Sequence, residues 1–212
     1  MDEHDQPART TRRAGLVGIV ALVVVVALGW AASRWTGGLP NLGSVGGLGV
    51  DEPGPRPKFT MPFACGERWR LSTYRGHDPD DMKVDMFRIG GTTRGSVVRA
   101  TAPGRIRQLV NPGGVKIDHG GRWYTLSLHM DHISVEPGQE VVQGQEIGRV
   151  GSVGTQAAHL HYEQLFDQNG DGNARTWEMV HPVIEGVPYQ LSPGGPFPVV
   201  RSTNACAGQA AR

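Results

Sequence analysis

Between residues 95 and 148 the chain is cut again and again by glycine and proline, leaving short runs rich in Val, Ile, Leu and Thr. The runs 95–101, 105–110, 115–119 and 122–130 are separated by Ala102-Pro103-Gly104, Asn111-Pro112-Gly113-Gly114 and Gly120-Gly121. Runs of that length with that punctuation read as strands joined by tight turns. Gly138 and Gly144 place two further turns in the stretch from Val135 to Gly148. The 31 glycines and 15 prolines suit this reading, and no long amphipathic helical pattern follows residue 33. The expected fold is mainly β, a compact antiparallel sheet domain in which the strands form a meander. With 212 residues there is room for one well-buried domain plus appendages. No period of the kind that marks repeat arrays is present.

Residues 14–32 carry no charge and are long enough to cross a bilayer as a helix. Arg12 and Arg13 precede the run and only Arg34 closely follows it, so residues 1–13 are expected to stay cytoplasmic and the rest to be exported. A cleavable signal peptide is the competing version, because Gly29-Trp30-Ala31 and Ala31-Ala32-Ser33 are small-x-small sites. The expected location is the cell membrane, single-pass with the C-terminal domain outside the cytoplasm, or secretion if the signal is removed. Residues 33–60 are dominated by Gly, Pro and Ser and read as a flexible tether. The folded domain is then expected over 61–206, with a short tail at 207–212. Outside the cytoplasm the only two cysteines, Cys65 and Cys206, most simply form one disulfide. The 21 basic and 20 acidic residues are interleaved, which leaves no footprint for nucleic acid.

The chemistry centres on His159-Leu160-His161-Tyr162-Glu163. On a strand, period-2 alternation puts His159 and His161 on one face, where they could share a metal ion or divide metal binding from proton handling. Taken alone, such a pair would be surface histidines on an amphipathic strand. Two other features change that. Asp85 lies within the apolar run Val84-Asp85-Met86-Phe87, where a carboxylate costs several kcal/mol unless it is paired or binds a metal. His77 sits in a turn upstream, and His129 ends the alternating run Leu126-Ser127-Leu128-His129.

These blocks together, in this order, resemble the lysostaphin-type (LytM-like) zinc endopeptidases that cut peptidoglycan cross-bridges. The resemblance covers roughly residues 69–163. It includes Ala102-Pro103-Gly104-Arg105-Ile106, the hairpin Val115-Lys116-Ile117-Asp118-His119-Gly120-Gly121, and the glycine run from Ile147 to Gly154. It implies a lysostaphin-like, barrel-sandwich β fold with a cleft across the sheet. It also implies His77, Asp85 and His161 as zinc ligands with a fourth position open to water. His159 would be the general base, and His129 would orient the water or stabilise the developing oxyanion. The commonest family spacing would instead select Asp81. Asp85 is preferred because a strand can fix it, whereas residues 78–81 read as a solvated loop. The implied substrate is the peptide portion of peptidoglycan; any regulatory protein partner is unspecified.

Residues 167–178 also fit a calcium-loop spacing, with Asp167, Asn169, Asp171, Asn173 and Glu178 as oxygen donors. A strand rather than a helix precedes them, so an Asx-rich hairpin loop is the competing reading. His119 reads as structural, His132 and His181 as loop residues, and His4 as part of the tail. Trp69, Trp123 and Tyr124 could line a cleft, although half-buried sheet aromatics are commoner. Two other functions remain for comparison. A non-catalytic module that binds cell wall or activates another hydrolase would be expected to lack ligands, and all five positions here carry usable residues. A lipoyl-type carrier would need a lysine in the hairpin around Gly138 and Gly144, and none is there.

Overall fold

The turn signals become fourteen short strands in a computed structural model that describes residues 53–207. In chain order they are β1 (Arg68–Ser72), β2 (Val84–Ile89), β3 (Val97–Arg99), β4 (Gly104–Val110), β5 (Gly114–Asp118), β6 (Trp123–Leu128) and β7 (Met130–Ile133). Then come β8 (Glu140–Val141), β9 (Glu146–Val150), β10 (Leu160–Phe166), β11 (Met179–Val180), β12 (Val183–Ile184), β13 (Val187–Pro188) and β14 (Val199–Arg201). A single 3-10 turn, Thr176–Glu178, is the one helical element among the described residues. No helix among them is long and apolar enough to cross a membrane. The apolar run at 14–32, the cytoplasmic tail, most of the tether and residues 208–212 lie outside the described residues.

A large sheet runs in the order β14-β1-β2-β10-β6-β5-β4-β8, with β11 added on β10. A smaller sheet has the order β3-β9-β7, and β12 pairs with β13. The expected meander holds only for β4, β5 and β6, which are neighbours in sequence and in space. β10 then enters the sheet between β2 and β6, so the centre is made by a long-range pairing that turn signals do not encode. β3, β7 and β9 leave for the second sheet. The corner between β6 and β7 is His129, which adopts a left-handed conformation with φ 69°. Histidine tolerates that region better than branched residues do.

Alternation explains the core. Leu160 and Tyr162 on β10 and Val84 and Met86 on β2 are at most 1% exposed, and they join Trp69, Leu71 and Ile117 in one apolar cluster. Burying each such side chain contributes roughly 1.5–3 kcal/mol. Met86→Ala would leave a cavity and cost about 2–5 kcal/mol. The opposite face of the same strands carries Asp85, His161 and Glu163. All three are buried.

The last part of the expected tether is not free. The Gly54 amide donates to the Gly121 carbonyl (3.0 Å), and Trp123 Nε1 donates to the Gly54 carbonyl (2.9 Å). Arg56 stacks over Trp123 and donates to the His181 carbonyl, while Phe59 is buried against Ala102 and Trp123. Glycine is required where this strap crosses the β5–β6 hairpin, since a Cβ on Gly54 would meet the Gly121 Cα at 3.0 Å. Composition suggested flexibility, but one aromatic and one guanidinium are enough to dock the segment. Trp69, Trp123 and Tyr124 are all buried. Cys65 and Cys206 form a disulfide with Cα atoms 4.9 Å apart, tying the segment before β1 to the segment after β14. Closing so long a loop removes at most about 5 kcal/mol of unfolded-state entropy on the chain-entropy account.

Candidate metal centre

Register places two of the chemically active residues directly opposite one another: His161 of β10 pairs with Asp85 of β2. Cross-strand partners on one face lie within side-chain reach. His77 arrives from the loop between β1 and β2, where its ring stacks on exposed Tyr74 at 4.4 Å. The result is a tight cluster. His77 Nε2 lies 2.9 Å from His161 Nδ1, and His161 Nδ1 lies 3.1 Å from Asp85 Oδ1. His77 Nε2 and Asp85 Oδ1 are 3.5 Å apart. These three residues form the group among the described residues able to hold a metal ion.

The far side of each ring decides what the near side can do. His161 Nε2 is 2.8 Å from Glu163 Oε1, and in the tautomer that donates its ring proton there Nδ1 presents a lone pair. His77 Nδ1 meets Thr73 Oγ1 at 3.2 Å, which leaves Nε2 facing the cluster. With both rings turned that way, three lone-pair atoms converge, an arrangement that a cation resolves. Zinc–ligand bonds of about 2.0–2.1 Å in a tetrahedron set ligand atoms about 3.3 Å apart. The observed separations of 2.9, 3.1 and 3.5 Å fit that group. Burial lowers the His77 pKa to about 4, so its ring is neutral at physiological pH, as a ligand must be. Asp85 is held well below the carboxylate range: burial opposes this, but the favourable interaction of the carboxylate with the surrounding His159, His161 and His77 rings outweighs it.

Two more histidines border the cluster. His159 lies just before β10 rather than within it, yet its Nε2 reaches to 3.4 Å from Asp85 Oδ1. Its Nδ1–H donates to the Ala157 carbonyl (2.8 Å), and its ring lies 5.4 Å from that of Phe87. His129, from the corner between the sheets, donates Nδ1–H to the Val153 carbonyl at 2.8 Å. Its ring centroid is 4.8 Å from His159 and 5.7 Å from His161. Both rings are thus anchored by one nitrogen and offer Nε2 to the centre. Burial lowers the His129 pKa, whereas for His159 the pull of Asp85 overcomes burial and raises it.

Asp81 points elsewhere, accepting from His181 Nε2 (2.8 Å) and Gln190 Nε2 (3.2 Å). The calcium-type loop is also engaged internally. Asp167, fully buried, accepts the amides of Gly170, Asp171 and Gly172, and Glu178 accepts those of Gln168 and Arg175. The Lys116 ammonium donates to Asn173 Oδ1 (2.8 Å) and to the Ala174 carbonyl. The expectation of calcium is not supported here, because the oxygens that would bind it already hold amides and an internal cation. His119 is structural: Nδ1–H donates to the Pro103 carbonyl and Nε2 meets Thr125 Oγ1, each at 2.8 Å. His132 lies exposed on β7. Sequence reasoning passed over Thr73, Tyr74, Phe87 and Glu163. Only Glu163 carried a readable signal, since alternation puts it on the face of His161.

An open groove of 620 Å³ is lined by residues that include Asp78, Lys83 and Gln168, and none of the cluster residues is among them. Met82, Trp177 and Met179 give it an apolar side.

A buried two-histidine, one-aspartate cluster flanked by two anchored histidines on an antiparallel sheet is a candidate metal centre. Residues 88–172 match the sequence profile of peptidase family M23. Lipoprotein NlpD of Yersinia enterocolitica is 34% identical over 76 residues, covering 34% of this chain and 78% of that protein. Outer membrane antigenic lipoprotein B of Haemophilus influenzae is 37% identical over 111 residues, 48% of this chain and 27% of that one. Peptidoglycan DD-endopeptidase ShyA of Vibrio cholerae is 46% identical over 52 residues, 24% of this chain and 12% of that one. The chain belongs to peptidase family M23. The chain spans only 27% of the length of the Haemophilus influenzae lipoprotein and 12% of that of ShyA. His77 and Asp85 precede the matched segment, so their place in the site rests on geometry.

Proposed function

We propose that this chain is a zinc endopeptidase that hydrolyses peptide cross-bridges of peptidoglycan. His77 Nε2, Asp85 Oδ1 and His161 Nδ1 would hold the metal. The observation that carries the reading is the convergence of those three lone-pair atoms within 2.9–3.5 Å, backed by partners that fix each ring. Bound there, zinc supplies Lewis-acid activation of water and of the scissile carbonyl.

The remaining steps belong to side chains. His159 Nε2, kept as an acceptor by the Ala157 carbonyl, takes the proton from the attacking water. Asp85 Oδ1, 3.4 Å away, stabilises the imidazolium that results, and the same proton is then available to the leaving amine. His129 is held neutral by burial and has its Nδ1–H engaged, so Nε2 accepts from a water proton and orients that water. This favours the orienting role for His129 over the oxyanion-stabilising one.

The name of the Vibrio cholerae relative supports peptidoglycan as substrate. The disulfide supports an oxidising compartment. The domain would act outside the cytoplasm, tethered by the apolar run at 14–32 or released after its cleavage.

The test is zinc content and digestion of purified sacculi by the full chain, wild type beside His161→Ala. Near-stoichiometric zinc and new peptide termini from wild type alone are expected. Zinc without cleavage would favour a non-catalytic cell-wall module, and a zinc-free folded wild type would sink the ligand assignment.

A further inference from the structure

We infer that Glu163 is a positioning residue that selects the metal-binding tautomer of His161. The inference rests on the zinc reading above.

His161 faces two carboxylates at once. Asp85 Oδ1 is 3.1 Å from Nδ1, and Glu163 Oε1 is 2.8 Å from Nε2. A neutral imidazole has one proton to give. If it goes to Asp85, Nδ1 becomes a donor and the cluster loses a ligand. If it goes to Glu163, Nδ1 keeps a lone pair aimed at His77 Nε2 and Asp85 Oδ1. Glu163 therefore competes for that proton with the groups facing Nδ1, Asp85 Oδ1 and His77 Nε2. His77 has only a neutral hydroxyl behind it, Thr73 Oγ1 at 3.2 Å.

The position has no evident structural purpose that would explain a carboxylate. Glu163 is 2% exposed, in the middle of β10, opposite Leu126 of β6. Its second oxygen, Oε2, has no hydrogen-bond partner. A carboxyl group buried with one oxygen unpartnered opposes folding. What it gains is one short hydrogen bond with the ring, the kind of outer-shell contact that fixes a ligand's orientation and tautomer. Alternation makes the contact available, because residues two apart on a strand share a face.

The experiment compares zinc affinity, by chelator competition, in full-length wild type, Glu163→Gln and Glu163→Met. The amide keeps an acceptor without the charge, and Met keeps the bulk without either. Zinc affinity is expected to fall about tenfold for Gln and up to about 100-fold for Met. Metal-free melting should stay close to wild type. A second readout is nitrogen NMR of histidine-labelled wild type, where His161 should carry its proton on Nε2 and the metal on Nδ1. Wild-type binding with both variants within twofold would overturn the inference alone. So would a wild-type His161 protonated on Nδ1, which decides the matter even if neither variant folds. A wild type that binds no zinc would instead overturn the metal reading and this role with it.

Discussion

Two stretches of this chain carry donor residues at metal-like spacings, and the fold treats them in opposite ways. In the centre around β2 and β10, each ligand histidine spends its outer nitrogen on a local partner and turns its inner nitrogen to the cluster: Thr73 behind His77, Glu163 behind His161. In the loop at 167–178 the carboxylates answer the loop's own amides, and Lys116 supplies the positive charge. Spacing along the chain does not distinguish the two. What does is whether lone pairs converge without donors, because burial makes such convergence costly unless a cation fills it.

Removing a ligand should break the contrast most completely. His161→Ala or Asp85→Asn is expected to weaken zinc binding more than ~100-fold, since a three-ligand site loses a third of its donors. Asp81→Asn should leave zinc binding nearly unchanged, because Asp81 is occupied by His181 and Gln190. Equal losses for Asp81→Asn and Asp85→Asn would move the ligand assignment. Next in size is His159→Ala: kcat on a peptidoglycan peptide should drop about 10²–10⁴-fold while zinc stays bound. Zinc loss in that variant would make His159 a ligand rather than a base.

The loop predicts a stability effect instead. Asp167→Ala strips the amides of Gly170, Asp171 and Gly172 of their acceptor, so unfolding free energy should fall by about 2–4 kcal/mol, measured by urea denaturation. Zinc binding should be unaffected. A change below about 0.5 kcal/mol would show that the amides find other partners.

Much of this was legible before any coordinates. The strands β4, β5 and β6 follow from turn residues, and Asp85 stands out as a carboxylate in an apolar run. The central pairing of β2 with β10 was not legible, because register across 76 residues leaves no local signal. The docked strap at 54–60 was hidden for another reason: composition averages over a segment, while docking needs only Arg56 and Phe59. Glu163 was within reach of the alternation argument, but its burial and its unpartnered oxygen are tertiary facts.

His119 supplies a reference imidazole in which both nitrogens are satisfied. Its Nε2 accepts from Thr125 only while unprotonated, and burial lowers its pKa to about 4. A depressed folded-state pKa means that its contribution is complete above the unfolded value near 6.5 and is lost as pH falls towards about 4. Wild type should lose up to about 1 kcal/mol per pH unit across that window relative to His119→Gln. Parallel pH profiles for the two proteins would mean that the ring is solvated.

The smallest expected effect is calcium on melting temperature. A site with a Kd of about 1 mM, at the weak end of extracellular modules, would stabilise the protein by about 1.4 kcal/mol in 10 mM calcium. For a domain of this size that is roughly 4 °C. Calcium needs six or more oxygens, and here it would have to displace five backbone amides from Asp167 and Glu178 and the ammonium from Asn173. The shift should therefore stay below about 1 °C, and it should be no larger in wild type than in Asp167→Ala. A shift of several degrees that Asp167→Ala abolishes would show that the loop rearranges around the ion. Donor spacing would then be a better guide than the contacts seen in its absence, and the distinction drawn between the two regions would fail.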